Sequence, residues 1–168
     1  GPAAPAAAAL VITLGDSDED VRQWAAWSLG HIGHARAIPD LVSATTDPRH
    51  SVRRSAAAAL VRVGAPAAEL TALLTAEDEA VVKATLEALA RRDDVPSALF
   101  DILSQRLGDQ DTDVQRYAAR ALARMGDSTP EVQEGLRILL RAKRARTRWA
   151  AADGLLKLGE PSDIVPAL

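Results

Sequence analysis

One nine-residue motif recurs five times along this 168-residue chain, and any fold must accommodate all five copies in the same way. Val21-Arg22-Gln23-Trp24-Ala25-Ala26-Trp27-Ser28-Leu29 returns as Val52-Arg53-Arg54-Ser55-Ala56-Ala57-Ala58-Ala59-Leu60. It returns again from Val81 to Leu89, from Val114 to Leu122 and, more loosely, from Thr147 to Leu155. The copies begin 31, 29, 33 and 33 residues apart, the period of a stacked supersecondary unit. A leucine stands eleven residues before each start (Leu10, Leu41, Leu70, Leu103 and Leu136), so two columns keep one register through all five copies.

Within a copy the apolar residues fall at helical spacing. Val114, Ala118, Leu122 and Met125 form a stripe at i, i+4, i+8 and i+11. Gly126 closes that copy, as Gly33, Gly64 and Gly159 close others, where glycine can take the left-handed conformation that ends a helix. The third copy carries Asp93 there, read as a tolerable substitute. Asp18, Asp111 and Ser128-Thr129-Pro130 before Glu131 mark helix starts, because their side chains cap free backbone N–H groups. The map is two helices per unit. First helices are expected at about 4–14, 36–46, 66–75, 96–107 and 129–141, and second helices at about 18–32, 50–63, 78–91, 111–125 and 144–158. Val165-Pro166-Ala167-Leu168 matches Ile38-Pro39-Asp40-Leu41, so a sixth unit is expected to begin there.

Composition agrees. Aromatic residues are only 3%, whereas alanine and leucine, the best helix formers, abound. With a net charge of −3 the chain is no polycation built for nucleic acid. The absence of cysteine removes disulfides, thiolate catalysis and zinc–cysteine sites, and suits a cytoplasmic protein. Ala3 to Leu14 is too short to cross a bilayer. Gly1-Pro2 has the look of a tag remnant, leaving 3–168 as a single repeat domain. Its units are about 5–33, 35–64, 65–92, 94–126 and 128–159, with a partial unit at 161–168.

The unit resembles a HEAT repeat, in the short variant known from phycobilin lyase subunits. Leu10, Asp16, Val21, Arg22, Ala25, Ala26 and Leu29 carry the resemblance, which covers residues 5 to 168. It implies an all-α, right-handed α-solenoid of about five HEAT-like helix pairs plus the start of a sixth. It also implies a ladder of hydrogen bonds between units, made by an Asp and an Arg six residues apart. Asp16/Arg22 and Asp47/Arg53 keep both members, Asp109 faces Gln115, and Ala142 precedes Arg148. The third unit, with Ala76 and Val82, lacks both and is expected to be a soft point.

Several tempting motifs dissolve in this register. His31-Ile32-Gly33-His34 spells the HIGH signature of class I aminoacyl-tRNA synthetases, but Ile32-Gly33 aligns with Val63-Gly64 and Leu158-Gly159, which are helix ends. As a metal pair the two histidines lack a third ligand, so no metal site and no cofactor is expected. Asp109-x-Asp111-x-Asp113 has the spacing of an EF-hand start without the glycine or the distal glutamate. That cluster, Asp18-Glu19-Asp20 and Glu77-Asp78-Glu79 recur where second helices begin, and acids there favour the helix dipole. The His-Glu dipeptides by which deoxyhypusine hydroxylase, another HEAT-repeat protein, binds iron do not occur. HEAT-like DNA glycosylases use aromatics and an acid, roles imaginable for Trp27, Trp149 and Asp153, but no motif matches residue by residue.

What remains is surface. Arg137, Arg141, Lys143, Arg144, Arg146 and Arg148 lie within twelve residues. Residues 116–148 hold nine bases against Asp127, Glu131 and Glu134, whereas residues 1–20 hold four acids and no base. If the second helix buries its first, fifth, ninth and twelfth positions, the third, seventh and tenth look outward onto a concave face. Those are Gln23, Trp27 and Gly30; Arg54, Ala58 and Val61; Lys83, Glu87 and Ala90; Arg116, Arg120 and Ala123; Trp149, Asp153 and Leu156. Trp24 and Tyr117, at the fourth position, are expected to pack between units. The expected function is a protein-interaction scaffold with no catalytic residues and no membrane role. Its partner-binding residues would be Trp27, Arg54, Lys83, Arg116, Arg120, Arg144, Arg146 and Trp149, facing a protein with an acidic surface. Nucleic-acid binding is the alternative, and a HEAT-type enzyme such as a bilin lyase or DNA glycosylase a more remote one. Ala3 to Leu14 carries no charge, so this end would need another unit, a docking partner or self-association to cover it.

Overall fold

The computed structural model describes residues 3–125 and 129–159, and every regular element among them is helical. First helices α1 (Ala3–Thr13), α3 (Ile38–Ala44), α5 (Ala67–Leu74), α7 (Phe100–Gln105) and α9 (Pro130–Leu139) alternate with second helices. These are α2 (Glu19–Ile32), α4 (His50–Val63), α6 (Glu79–Leu89), α8 (Thr112–Met125) and α10 (Ala145–Lys157). The two-helix unit read from the repeat is what forms. Two first helices are shorter than expected because 3-10 turns take their ends: Ala35–Ala37 leads into α3, Ser97–Leu99 into α7, and Arg106–Gly108 follows α7.

The expected caps are in place. Asp18 accepts from the amides of Asp20 and Val21, Asp111 from those of Asp113 and Val114, and Thr129 from that of Val132. Gly33, Gly64 and Gly159 have φ of 69°, 77° and 82°. Asp93 does not replace a glycine: no described non-glycine residue has positive φ, the conformation that costs an L-residue most. Instead α6 ends at Leu89, and Asp93 pairs with Arg124. Gly1-Pro2, Gly126, Asp127, Ser128 and the sixth unit at 161–168 lie outside the described residues.

The chain divides into two compact units, Gly1–Ala88 and Leu89–Leu168. In the first, α2 lies along α4 in its most extensive helix contact, and Ala25, Ala26 and Leu29 of α2 and Val52, Ala56, Ala59 and Leu60 of α4 are buried. In the second, α8 lies along α10 in the same way, and Ala118, Leu122, Ala151 and Leu155 are buried. Small side chains make this close approach possible. A Cβ added at Gly30 would sit 2.8 Å from both Cα and Cβ of Ala59, and one added at Gly154 would meet Ala123 at 3.6 Å.

That contact corrects the expected outward face. Gly30, Val61, Ala90 and Ala123, at the tenth position, are buried, Gly30 against Ala59 of the following second helix and Ala123 beside Gly154 of α10. Leu156 alone of the set is exposed, at 61%. Trp24, expected to pack between units, is 59% exposed and more open than Trp27 at 41%. Its counterparts Ser55, Ala84, Tyr117 and Ala150 are half-buried or buried.

A guanidinium ladder runs through the first unit. Nη1 of Arg22 donates to the carbonyls of Asp16 (2.8 Å) and Ser17 (3.1 Å), while Nε and Nη2 reach Asp47 at 2.7 and 3.1 Å. Arg53 repeats the pattern, with Nη1 on the carbonyls of Asp47 and Pro48 and Nε 2.5 Å from Asp78. The third unit has therefore not lost its acceptor. Asp78, two residues beyond Ala76, supplies it and also accepts from the Ala80 amide. The donor is lost, since Val82 is buried hydrocarbon. In the second unit, Gln115 donates to the carbonyl of Asp109 at 2.7 Å, and Nη1 of Arg148 to those of Ala142 and Lys143 at 3.0 Å. Asp109 pairs locally with Arg106.

The hydrogen bonds from Arg22 hold Asp47 below the ordinary carboxylate range. Burial pushes Asp78 up, but the Arg53 bond and the Ala80 amide outweigh it and leave it lowered as well. Unfolded carboxylates protonate first near pH ~4, so the stability these groups contribute is complete above that range and is lost as pH falls through the lowered folded values. Asp47→Asn should therefore cost roughly 2 kcal/mol in urea unfolding at pH 7. The gap to wild type should shrink below about pH 3; an equal gap at both pH values would contradict the ladder's role. Gly30→Val should lower stability by about 2–3 kcal/mol through overpacking against Ala59, measured by the same unfolding midpoint.

Candidate partner-binding surface

The second compact unit presents the best-defined group of outward side chains. The third and seventh positions of α8 are Arg116 and Arg120, and those of α10 are Trp149 and Asp153. Because α8 and α10 pack side by side, the Arg120 guanidinium comes to lie 5.4 Å from the centre of the Trp149 ring. Trp149 is 59% exposed, and none of the Arg120 donors is hydrogen-bonded among the described residues. Arg116 lies 4.1 Å over the Tyr117 ring and bonds Asp113 at 3.0 Å. Burial alone would lower its pKa; the bonds to Asp113 and Tyr117 more than compensate and raise it. Its Nε is buried without a hydrogen-bond partner among the described residues. Arg146 stands one turn before Trp149 on α10, and Leu156 two turns beyond. Asp153 is held by Lys157 at 2.8 Å. An open indole beside a free fork of N–H donors can grip an apolar or planar side chain and a carboxylate together.

The first compact unit holds the other expected residues. Trp27 meets Trp24 edge-to-face at 5.4 Å and 76°, and the His31 ring lies 3.7 Å from it. His31 Nδ1 is 2.8 Å from the Trp27 carbonyl, which can only accept, so Nδ1 carries the proton and donates. His31 thus serves its own helix. Arg54 is exposed and Lys83 half-buried. Of the expected residues, the structure joins Arg120 to Trp149 in direct contact. It sets Arg144 3.5 Å from Asp113, beside Arg116.

The basic run is thinner than its sequence. Arg148 turns into the carbonyls of its own loop, Arg137 bonds Gln133, and Arg144 leans on Asp113. Arg141, Lys143 and Arg146 stay exposed. The Asp109-Asp111-Asp113 series is likewise occupied, by the amides of Asp111, Asp113 and Val114 and by Arg106, Arg116 and Arg144. Among the described residues no group of His, Asp and Glu could hold a metal ion, and no helix is long and apolar enough to cross a membrane. An open cleft of about 400 Å³ lies in the first unit, lined by residues such as Val11, Leu14, Asp40 and Asp47, apart from Trp27. Tyr117 is the site residue that sequence reasoning missed. Its adjacency to Arg116 was the available signal, but its fourth position in the motif points to packing between units.

The sequence family described as HEAT repeats matches residues 7–90 and 100–167. No curated protein matches the chain in sequence. Among solved structures, an engineered protein is 24% identical, over 96% of this chain and 86% of that one, with a TM-score of 0.65. A structure of the complex of CpcE and CpcF of phycocyanin lyase from Nostoc sp. is 24% identical, over 94% of this chain and 66% of that one, with a TM-score of 0.73. A designed armadillo repeat protein in complex with the peptide (KR)4 is 20% identical, over 92% of this chain and 82% of that one, with a TM-score of 0.63. At these identities the likeness is one of fold.

Since Trp149 stands largely in solvent, Trp149→Ala should change the unfolding free energy by less than about 1 kcal/mol, the scale of an exposed cation–π contact. A larger loss in urea unfolding would mean that the ring is a packing element.

Proposed function

Because the chain belongs to the HEAT repeat family, we propose that it is a non-enzymatic binding scaffold whose second compact unit holds an acidic segment of a partner protein. The observation that carries this reading is the Arg120–Trp149 pair, an unspent guanidinium against a largely exposed indole. Trp and Arg are the side chains that most often dominate protein interfaces, and an arginine fork recognises carboxylates in two-bond geometry. Arg116 and Arg146 flank the pair and extend the positive surface, with Arg144 partly neutralised by Asp113. Trp27, Arg54 and Lys83, on α2, α4 and α6 of the first unit, are the further residues proposed to meet a partner. A similarly folded armadillo design holds a peptide, which supports peptide capture as a use of such surfaces; its peptide is basic, whereas the face here is cationic.

A phosphate backbone is the less favoured ligand. Asp113, Asp93 and Glu134 pair with Arg116, Arg124 and Arg137 and dilute the field that nucleic acid would need.

Fluorescence anisotropy with a labelled glutamate-rich peptide, its lysine-rich counterpart and duplex DNA separates the readings. The glutamate peptide should bind best, and Arg120→Ala and Trp149→Ala should each weaken it about tenfold, or roughly 1.4 kcal/mol. Preference for the lysine peptide, or undiminished binding by both variants, would overturn the proposal. Tighter binding of DNA with a steep salt dependence would replace it by the nucleic-acid reading.

A further inference from the structure

We infer that the open cleft of the first compact unit is a binding site for a small aliphatic diamine. The inference is independent of the partner surface on the second unit. At about 400 Å³, the cleft lies in the size range of small-ligand sites. One wall is apolar: Val11 and Leu14 stand one turn apart at the end of α1, a helix without a charged residue. The other wall follows α3, where Asp40, Ser43 and Ala44 share one face at i, i+3 and i+4. Both walls close in turns, Leu14-Gly15 on one side and Thr46-Asp47-Pro48 on the other.

The polar groups left over along these walls are acceptors. The hydroxyls of Ser43 and Thr46 are spent on the carbonyls of Pro39 and Ser43, at 3.2 and 2.8 Å. The amides of Leu14, Gly15, Thr46 and Asp47 donate to carbonyls of their own turns, and Pro48 has no N–H. Asp47 is occupied, because Arg22 holds both of its oxygens and the Arg49 amide also binds Oδ1. The Asp40 carboxylate is half-buried and has no hydrogen bond or ion pair among the described residues. The carbonyls of Leu14, Gly15 and Thr46 accept none among them either. No lining residue is basic.

Thr46 lies six residues beyond Asp40, about 9 Å at the rise of a helix. A carboxylate thus stands toward one end of the cleft. Unspent carbonyls stand toward the other, where α1 and α3 present their negative C-terminal ends. Two ammonium groups supply donors and positive charge to both ends, and the methylenes between them cover Val11 and Leu14. An anionic ligand meets only acceptors here. A neutral alcohol gains the apolar wall without the charge.

Heteronuclear NMR of the full chain, titrated with the five-carbon diamine cadaverine, tests this. The amides of Leu14, Gly15, Ser43 and Thr46 should shift together, with half-saturation at roughly millimolar diamine, the range open to so few atoms. Pentylamine should bind several-fold more weakly, and pentanol should leave these amides in place. Asp40→Asn keeps the size of the side chain and should weaken cadaverine about tenfold. Ser43→Leu fills the cleft from an exposed position and should abolish binding, with circular dichroism checking that both variants stay folded. Cleft amides that do not move at about 10 mM cadaverine would overturn the inference. So would shifts spread over the other acidic turns, pentanol bound as tightly as the diamine, or folded variants that bind like wild type.

Discussion

An arginine guanidinium has two hydrogen-bonding edges, and the repeat uses them for different tasks. One edge closes the turn between the two helices of a unit by binding two loop carbonyls. The other edge reaches a carboxylate that belongs to the next unit. Arg22 and Arg53 do both, and the aspartates they meet also cap or brace the start of the next second helix. Turn closure, helix capping and unit spacing are thereby tied to one set of side chains. The tasks are separable. Gln115, with a single amide, closes its turn and reaches no further, and Val82 can do neither.

The small residues of the second helices follow from that spacing. With units held at ladder distance, neighbouring second helices come close enough that Gly30 has no room for a Cβ beside Ala59. The tryptophans stand outside that contact: Trp24, Trp27 and Trp149 are 59%, 41% and 59% exposed.

Most of the fold was legible in the sequence, because helices and caps are local. Apolar spacing, Asp18, Asp111 and Thr129 at starts, and Gly33, Gly64 and Gly159 at ends depend on residues within a turn or two of each other. The candidate surface was legible only in part. Counting positions on one helix puts Arg116, Arg120 and Trp149 outward but also puts Gly30, Val61, Ala90 and Ala123 there, since it takes no account of the following helix. The basic run reads as one patch, yet Arg148 is consumed by its own loop and Arg137 and Arg144 by neighbours.

The sequence by itself determined the unit, its five copies, its helices and the two ladder columns, since a periodic pattern and its caps are properties of adjacent residues. Tertiary structure decided which exposed-looking positions another helix covers, that Arg53 reaches Asp78 rather than residue 76, and that Arg120 stands over Trp149. Those outcomes depend on distances between segments about thirty residues apart in the chain, which no count along a single helix contains.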